Sequence, residues 1–241
     1  MKRITFTIVF LLSTFCVLAQ NATEHKNNQK DSIKRHIIEK PVIIRDRLTF
    51  DIFHSFWMGA PSQGNFKKFN PGFNVTAMWD FTLPQQSSIS FGLGLGFSYF
   101  SQYSNCLLQY DYQTGINTYY IIPENIKYKT NRIVYTNCNL PIEIRYRHRC
   151  GFKFSVGIHV GLVSGLAHRY KGPNYDGTTD VTLNYKNRDF YDKTKFSADV
   201  YARIGWKAIG VYYSYQLNKV FASGKGPNIN PMSVGISISL F

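Results

Sequence analysis

Seven charged residues sit between apolar neighbours in segments of alternating polarity: Asp51, Asp80, Glu143, Arg145, Lys153, Asp199 and Arg203. In extended chain, successive side chains point to opposite faces, so these charges share the face opposite the apolar one. Four acids and three bases on such a face can pass protons or ions along a path, or they can neutralise one another as packing. Charges removed from water must be paired, and pairing is the simpler expectation, with His159 near Asp199 at a higher level.

The hydroxyls, thiols and histidines offer no catalytic arrangement at a recognisable spacing. His54 and Ser55 are adjacent and therefore face opposite ways, and His168 near Ser164 has no recognisable carboxylate to orient it. Beyond a leader ending at Ala19, the cysteines are Cys106, Cys138 and Cys150, an odd number without metal-ligand pair spacing. No Gly-rich phosphate loop and no spaced pair of catalytic carboxylates occurs. These observations point to no cofactor, no metal and no enzyme; hydrolysis or acyl transfer on lipid is the weaker alternative.

The elements that must hold the charges are strands. From Ile89 to Tyr99, the residues Ile89, Phe91, Leu93, Leu95, Phe97 and Tyr99 alternate without a miss against Ser90, Gly92, Gly94, Gly96 and Ser98. A period of two means a strand. Its apolar face needs an apolar exterior and its Gly/Ser face a crowded interior, the pattern of a membrane β-barrel strand. The same alternation marks seven further strands, through Leu48–Phe56, Phe73–Leu83, Val134–Tyr146, Phe152–Leu162, Ala198–Trp206, Ile209–Leu217 and Met232–Leu240.

Eight strands joined by alternately long and short connections predict an all-β fold, an eight-stranded antiparallel up-and-down transmembrane β-barrel. The long connections are 59–70, 104–132, 168–195 and 221–230; the tight ones are 84–88, 147–151 and 206–209. Pro141, inside a strand of a closed sheet, predicts a bulge or kink. The long connections carry Tyr110, Tyr112, Tyr119, Tyr120, Tyr170, Tyr175, Tyr185 and Tyr191. So many tyrosines suggest contact with a protein or glycan, or packing of the loops over the barrel mouth. Aromatic residues near the strand ends, such as Tyr146 and Trp206, fit interfacial girdles.

Residues 1–19 read as a signal peptide, with Lys2-Arg3, an apolar stretch from Ile4 to Leu18 and a small-residue site at Ala19. Phe15 before Cys16 speaks against a lipoprotein. Residues 20–46 are polar and charge-mixed and read as a periplasmic tail, followed by the barrel over 47–241. Without the leader, 26 bases face 14 acids, a balance of +12. The bases are scattered, with no basic helix and no recognition module, so the excess predicts contact with anionic lipid and not with nucleic acid.

Residues 47–241 resemble the PorT-like outer-membrane β-barrel proteins of Bacteroidota, compact barrels of the OmpX and OmpA type. The resemblance rests on the Ala19-Gln20 junction, the Gly92/Gly94/Gly96 strand, Leu140-Pro141-Ile142 with Glu143-Ile-Arg-Tyr146, and the terminal Ser-Ile-Ser-Leu-Phe241. It implies a Gram-negative outer-membrane location, and the even strand number with alternating long and short connections predicts both termini on the periplasmic side. It also implies partnership with outer-membrane lipid and with larger proteins of an envelope secretion or assembly complex, since known members include an accessory component of the type IX secretion system. A narrow pore is the alternative.

Overall fold

The computed structural model describes residues 48–240 except 61–63, 65–68, 83–87, 176–181, 189 and 191–192. The expected signal peptide, the tail, most of the 84–88 turn, Tyr191 and Phe241 lie outside the described residues. Every regular element described is a strand: β1 (Leu48–Met58), β2 (Pro71–Thr82), β3 (Ile89–Tyr103), β4 (Cys106–Asp111), β5 (Ile116–Ile121), β6 (Thr130–Arg147), β7 (Phe152–Pro173), β8 (Thr182–Asn187), β9 (Phe196–Trp206), β10 (Ile209–Gln216) and β11 (Asn230–Leu240).

Antiparallel pairing runs β6-β3-β2-β1-β11-β10-β9-β7, and β7 pairs back to β6, which closes eight strands into a barrel. Closure leaves the wall without an edge. The predicted period of two decides which way each side chain points. Leu95, Trp79 and Ile236 are each 57% exposed on the outer face, whereas Asp51, Thr76 and Ser233 are fully buried inside. Large apolar groups outside and small polar ones inside reverse the order of a water-soluble fold and match a wall built for lipid.

The interior is crowded to the limit. A Cβ on Gly94 would stand 2.2 Å from the Ala77 carbonyl oxygen and 2.5 Å from Met78 Sδ; one on Gly157 would stand 2.4 Å from the Ile142 oxygen. At the tight end, Trp206 pairs directly with Ile209, leaving Lys207 and Ala208 as the turn, and Lys207 takes a left-handed φ of 52°.

Pro141 does not bulge the wall. It pairs in register with His159, and the ladder toward β3 continues in the same register after skipping Gly94 and Leu95. A missing N–H interrupts a ladder without adding a residue, so the strand keeps its phase. The bulge lies elsewhere. Between Thr136 and Asn137 the register of β6 on β7 shifts by one, leaving Ser164 unpaired. Its hydroxyl donates to the Thr136 carbonyl at 3.1 Å and lies 2.9 Å from Thr136 Oγ1.

One extra residue flips the faces of everything beyond it. Up to Leu162 the even-numbered residues of β7 face outward; past Ser164 the odd ones do, so Leu166, His168 and Tyr170 turn inward. Strands β6 and β7 rise beyond the eight-strand wall and are extended by β8, while β4 and β5 form a separate hairpin. The stretches 104–132 and 168–195, read as polar connections, thus contain ordered strands.

Candidate functional site

The structure brings five of the seven predicted lumen charges into one chain of contacts. Arg203, on β9, makes a two-pronged pair with Asp51 on β1, Nη2 to Oδ2 at 2.7 Å and Nε to Oδ1 at 3.0 Å. Its Nη1 donates to Glu143 Oε2 at 2.9 Å, and Glu143 also pairs with Arg145 two residues along β6. Arg145 reaches Asp80 on β2 at 2.6 Å. The guanidinium of Arg203 lies over the rings of Tyr201 and Tyr212, at 4.6 and 5.3 Å from their centroids. Planar, two-pronged contacts of this kind hold geometry as well as charge.

Three further residues join this network without having stood out in the sequence. Arg147 donates to Asp80 Oδ2 at 2.9 Å, Asn74 to Asp51 Oδ2 at 2.9 Å, and the Tyr201 hydroxyl to Glu143 Oε2 at 2.7 Å. Arg147 falls in the expected 147–151 turn, but it continues the inward phase of Glu143 and Arg145 because β6 runs one residue further. The other two also occupy inward phases and carried no charge to draw notice.

The remaining two predicted charges are Asp199 and Lys153. Asp199 pairs with His159, Nδ1 to Oδ2 at 3.8 Å, and the imidazole stacks on Tyr201 with centroids 3.9 Å apart. Lys153 lines a cavity of about 30 Å³ at the tight-turn mouth, together with Arg145, Arg147, Arg203 and Glu143. That volume admits about one water molecule.

Beyond the charges, the lumen is filled by apolar and aromatic side chains. Phe53, Trp57, Phe100, Tyr135, Tyr201 and Tyr212 of the wall pack with Leu108 of the β4–β5 hairpin and with Phe190, Val220, Phe221 and Ile229 of the connections. A second cluster sits above it, where Leu107, Ile122 and Tyr170 are buried with Tyr128, Tyr175, Leu183 and Tyr185 around them. The loop tyrosines therefore divide. Tyr170 is fully buried, Tyr175 and Tyr185 pack on its ring at 5.9 and 5.8 Å, and Tyr119 packs on the lumen cluster. Tyr120 leans on Tyr175, and Tyr110 meets Tyr112 edge-on at the hairpin end. Among the described loop tyrosines, Tyr112, 80% exposed, and Tyr120 have large open surfaces.

His168 is buried within this cap, with Nε2 against Asn131 Oδ1 and its ring edge-on to Tyr185. Burial pushes its pKa down to about 4. Burial likewise raises the Cys106 thiol, which makes it a poor nucleophile at neutral pH. His54 accepts a hydrogen bond from the Asn70 N–H and stacks on Phe69, while Ser55 is buried on the other face. One thiol and imidazole do meet, His148 Nδ1 and Cys150 Sγ at 2.9 Å, but on an exposed turn outside the cavity.

No family model and no curated protein matches the chain, so the PorT-like resemblance rests on its motifs alone. Among solved structures the barrel is similar to Ail. This is the attachment invasion locus protein of Yersinia pestis, seen alone and in complex with the heparin analogue sucrose octasulfate. The two structures are 9% and 8% identical to the chain, with a TM-score of 0.38, and the match covers 80% of this chain and 96% of theirs. The fold itself rests on the closed ladder.

Proposed function

We propose that this protein is a non-enzymatic outer-membrane barrel that works through its surfaces, as an accessory or structural subunit of an envelope machine for protein secretion or outer-membrane assembly. One observation carries the reading: the lumen is filled along its length. Paired charges occupy the tight-turn half, and aromatic residues sealed by Leu108, Phe221 and Ile229 occupy the other. An interior so packed transports nothing through its axis, and a wall of this kind offers lipid no chemistry. What remains to carry function is the ordered cap, where the β4–β5 hairpin presents Tyr112 and Tyr120 outward.

Affinity purification of the detergent-extracted protein from its native envelope, with identification of copurifying chains, tests the proposal. Reproducible recovery of larger envelope proteins, lost in a Tyr112→Ala/Tyr120→Ala variant, is expected. Recovery of the barrel alone would contradict it.

A further inference from the structure

Above the lipid-facing belt the outer wall carries a row of cations. Tyr103 on β3 opposes Arg132 on β6, Arg132 opposes Arg169 on β7, and Arg169 opposes Lys186 on β8. Lys171 shares their face one position further up β7. Arg132 lies over the Tyr103 ring, 5.8 Å from its centroid, and donates to the Tyr103 hydroxyl at 3.0 Å. Like charges directly opposed across a sheet cost stability. Among the described residues, no Asp or Glu forms an ion pair with Arg132, Arg169, Lys171 or Lys186. Three opposed cations without a counter-charge among the described residues call for an external one.

Their height identifies it. The apolar belt on β6 runs from Tyr146 up to Thr136, which pairs with Tyr99, itself stacked on Phe73. Those residues span roughly 25 Å at the strand rise and tilt usual for such barrels, the height of a hydrocarbon band. Arg132 lies four residues beyond Thr136, about 10 Å higher. That is headgroup level, on the surface lipid touches. The Ser164 bulge creates the arrangement, since without it Arg169 and Lys171 would point into the cap and His168 and Tyr170 would point out.

We propose that Arg132, Arg169 and Lys186 form a docking row for the phosphate groups of lipid headgroups in the leaflet on the cap side. The inference rests on the membrane-spanning reading above. Basic residues near an anionic membrane surface contribute about fivefold each in affinity, so roughly a hundredfold for three.

The test is native mass spectrometry of the full-length barrel extracted from vesicles containing bis-phosphorylated lipid A, or the same lipid stripped of its phosphates. The wild type should retain the phosphorylated lipid and lose the stripped one. Arg132→Gln/Arg169→Gln/Lys186→Gln should retain roughly a hundredfold less, and Lys219→Gln/Lys225→Gln, which alters cations of another connection, should match the wild type. Should the triple variant fail to fold, Arg169→Gln alone carries the same expectation at about fivefold. Equal retention by wild type and row variant, or equal retention of both lipids, would overturn the proposal. Heat-modifiable gel mobility in the same vesicles separates the two readings. A wild type that never inserts contradicts the barrel in lipid, whereas an inserted row variant that keeps its lipid contradicts the row alone.

Discussion

Gly94 and Leu93 are neighbours that should fail for opposite reasons. A side chain at Gly94 meets Ala77 backbone and Met78 sulfur at sub-contact distance, so Gly94→Leu should block folding. Leu93 is 41% exposed on the lipid face, so Leu93→Ala leaves no sealed cavity and should fold, while Leu93→Arg should cost about 2–4 kcal/mol at mid-belt. Heat-modifiable mobility of the three variants checks this, and a folded Gly94→Leu beside an unfolded Leu93→Ala would reverse the faces. The charge network gives a second expectation. Arg203→Met leaves Asp51 and Glu143 buried without their shared cation and should destabilise the barrel by about 3–5 kcal/mol, read as a lower urea midpoint.

Among the elements, the rim extension is the part most open to solution conditions. Burial holds folded His168 at about 4 against its ordinary 6.5, so the open form binds more protons between those values. Cap stability is therefore complete above pH 6.5 and is lost as the pH falls toward 4, by roughly 3 kcal/mol. Hydrogen-exchange protection around Leu166–Tyr170, corrected for the slower intrinsic exchange in acid, should fall from pH 7 to pH 5, and His168→Gln should flatten that dependence; an unchanged wild-type protection would contradict it. The wall strands were legible in the sequence because burial on one face and lipid on the other enforce a strict period of two. The same pattern placed Asp51, Glu143 and Arg203 on one face. The Ser164 bulge was not legible, because one unpaired residue in the Gly161–Gly165 stretch leaves no mark on polarity, whereas Pro141 carries the residue type associated with bulges. Strands β4, β5 and β8 are short, six residues each, and packed by contacts distant in sequence that periodicity does not report.

With both termini in the periplasm, as expected from the sequence, eight strands turn the cap to the outside of the cell and the tight turns to the periplasm. Cys150 lies exposed in a tight turn and Tyr112 at the hairpin end, so an impermeant maleimide on intact cells should label Tyr112→Cys and spare Cys150. The opposite pattern would invert the barrel. Electrical recording in planar bilayers bears most directly on a lumen closed by its own side chains. The folded full-length protein, inserted and heat-modifiable, should leave the bilayer resistive, without steady unitary current at any applied voltage. Reproducible single-channel steps from that same preparation would mean that the lumen conducts, and would contradict a barrel that acts only through its surfaces.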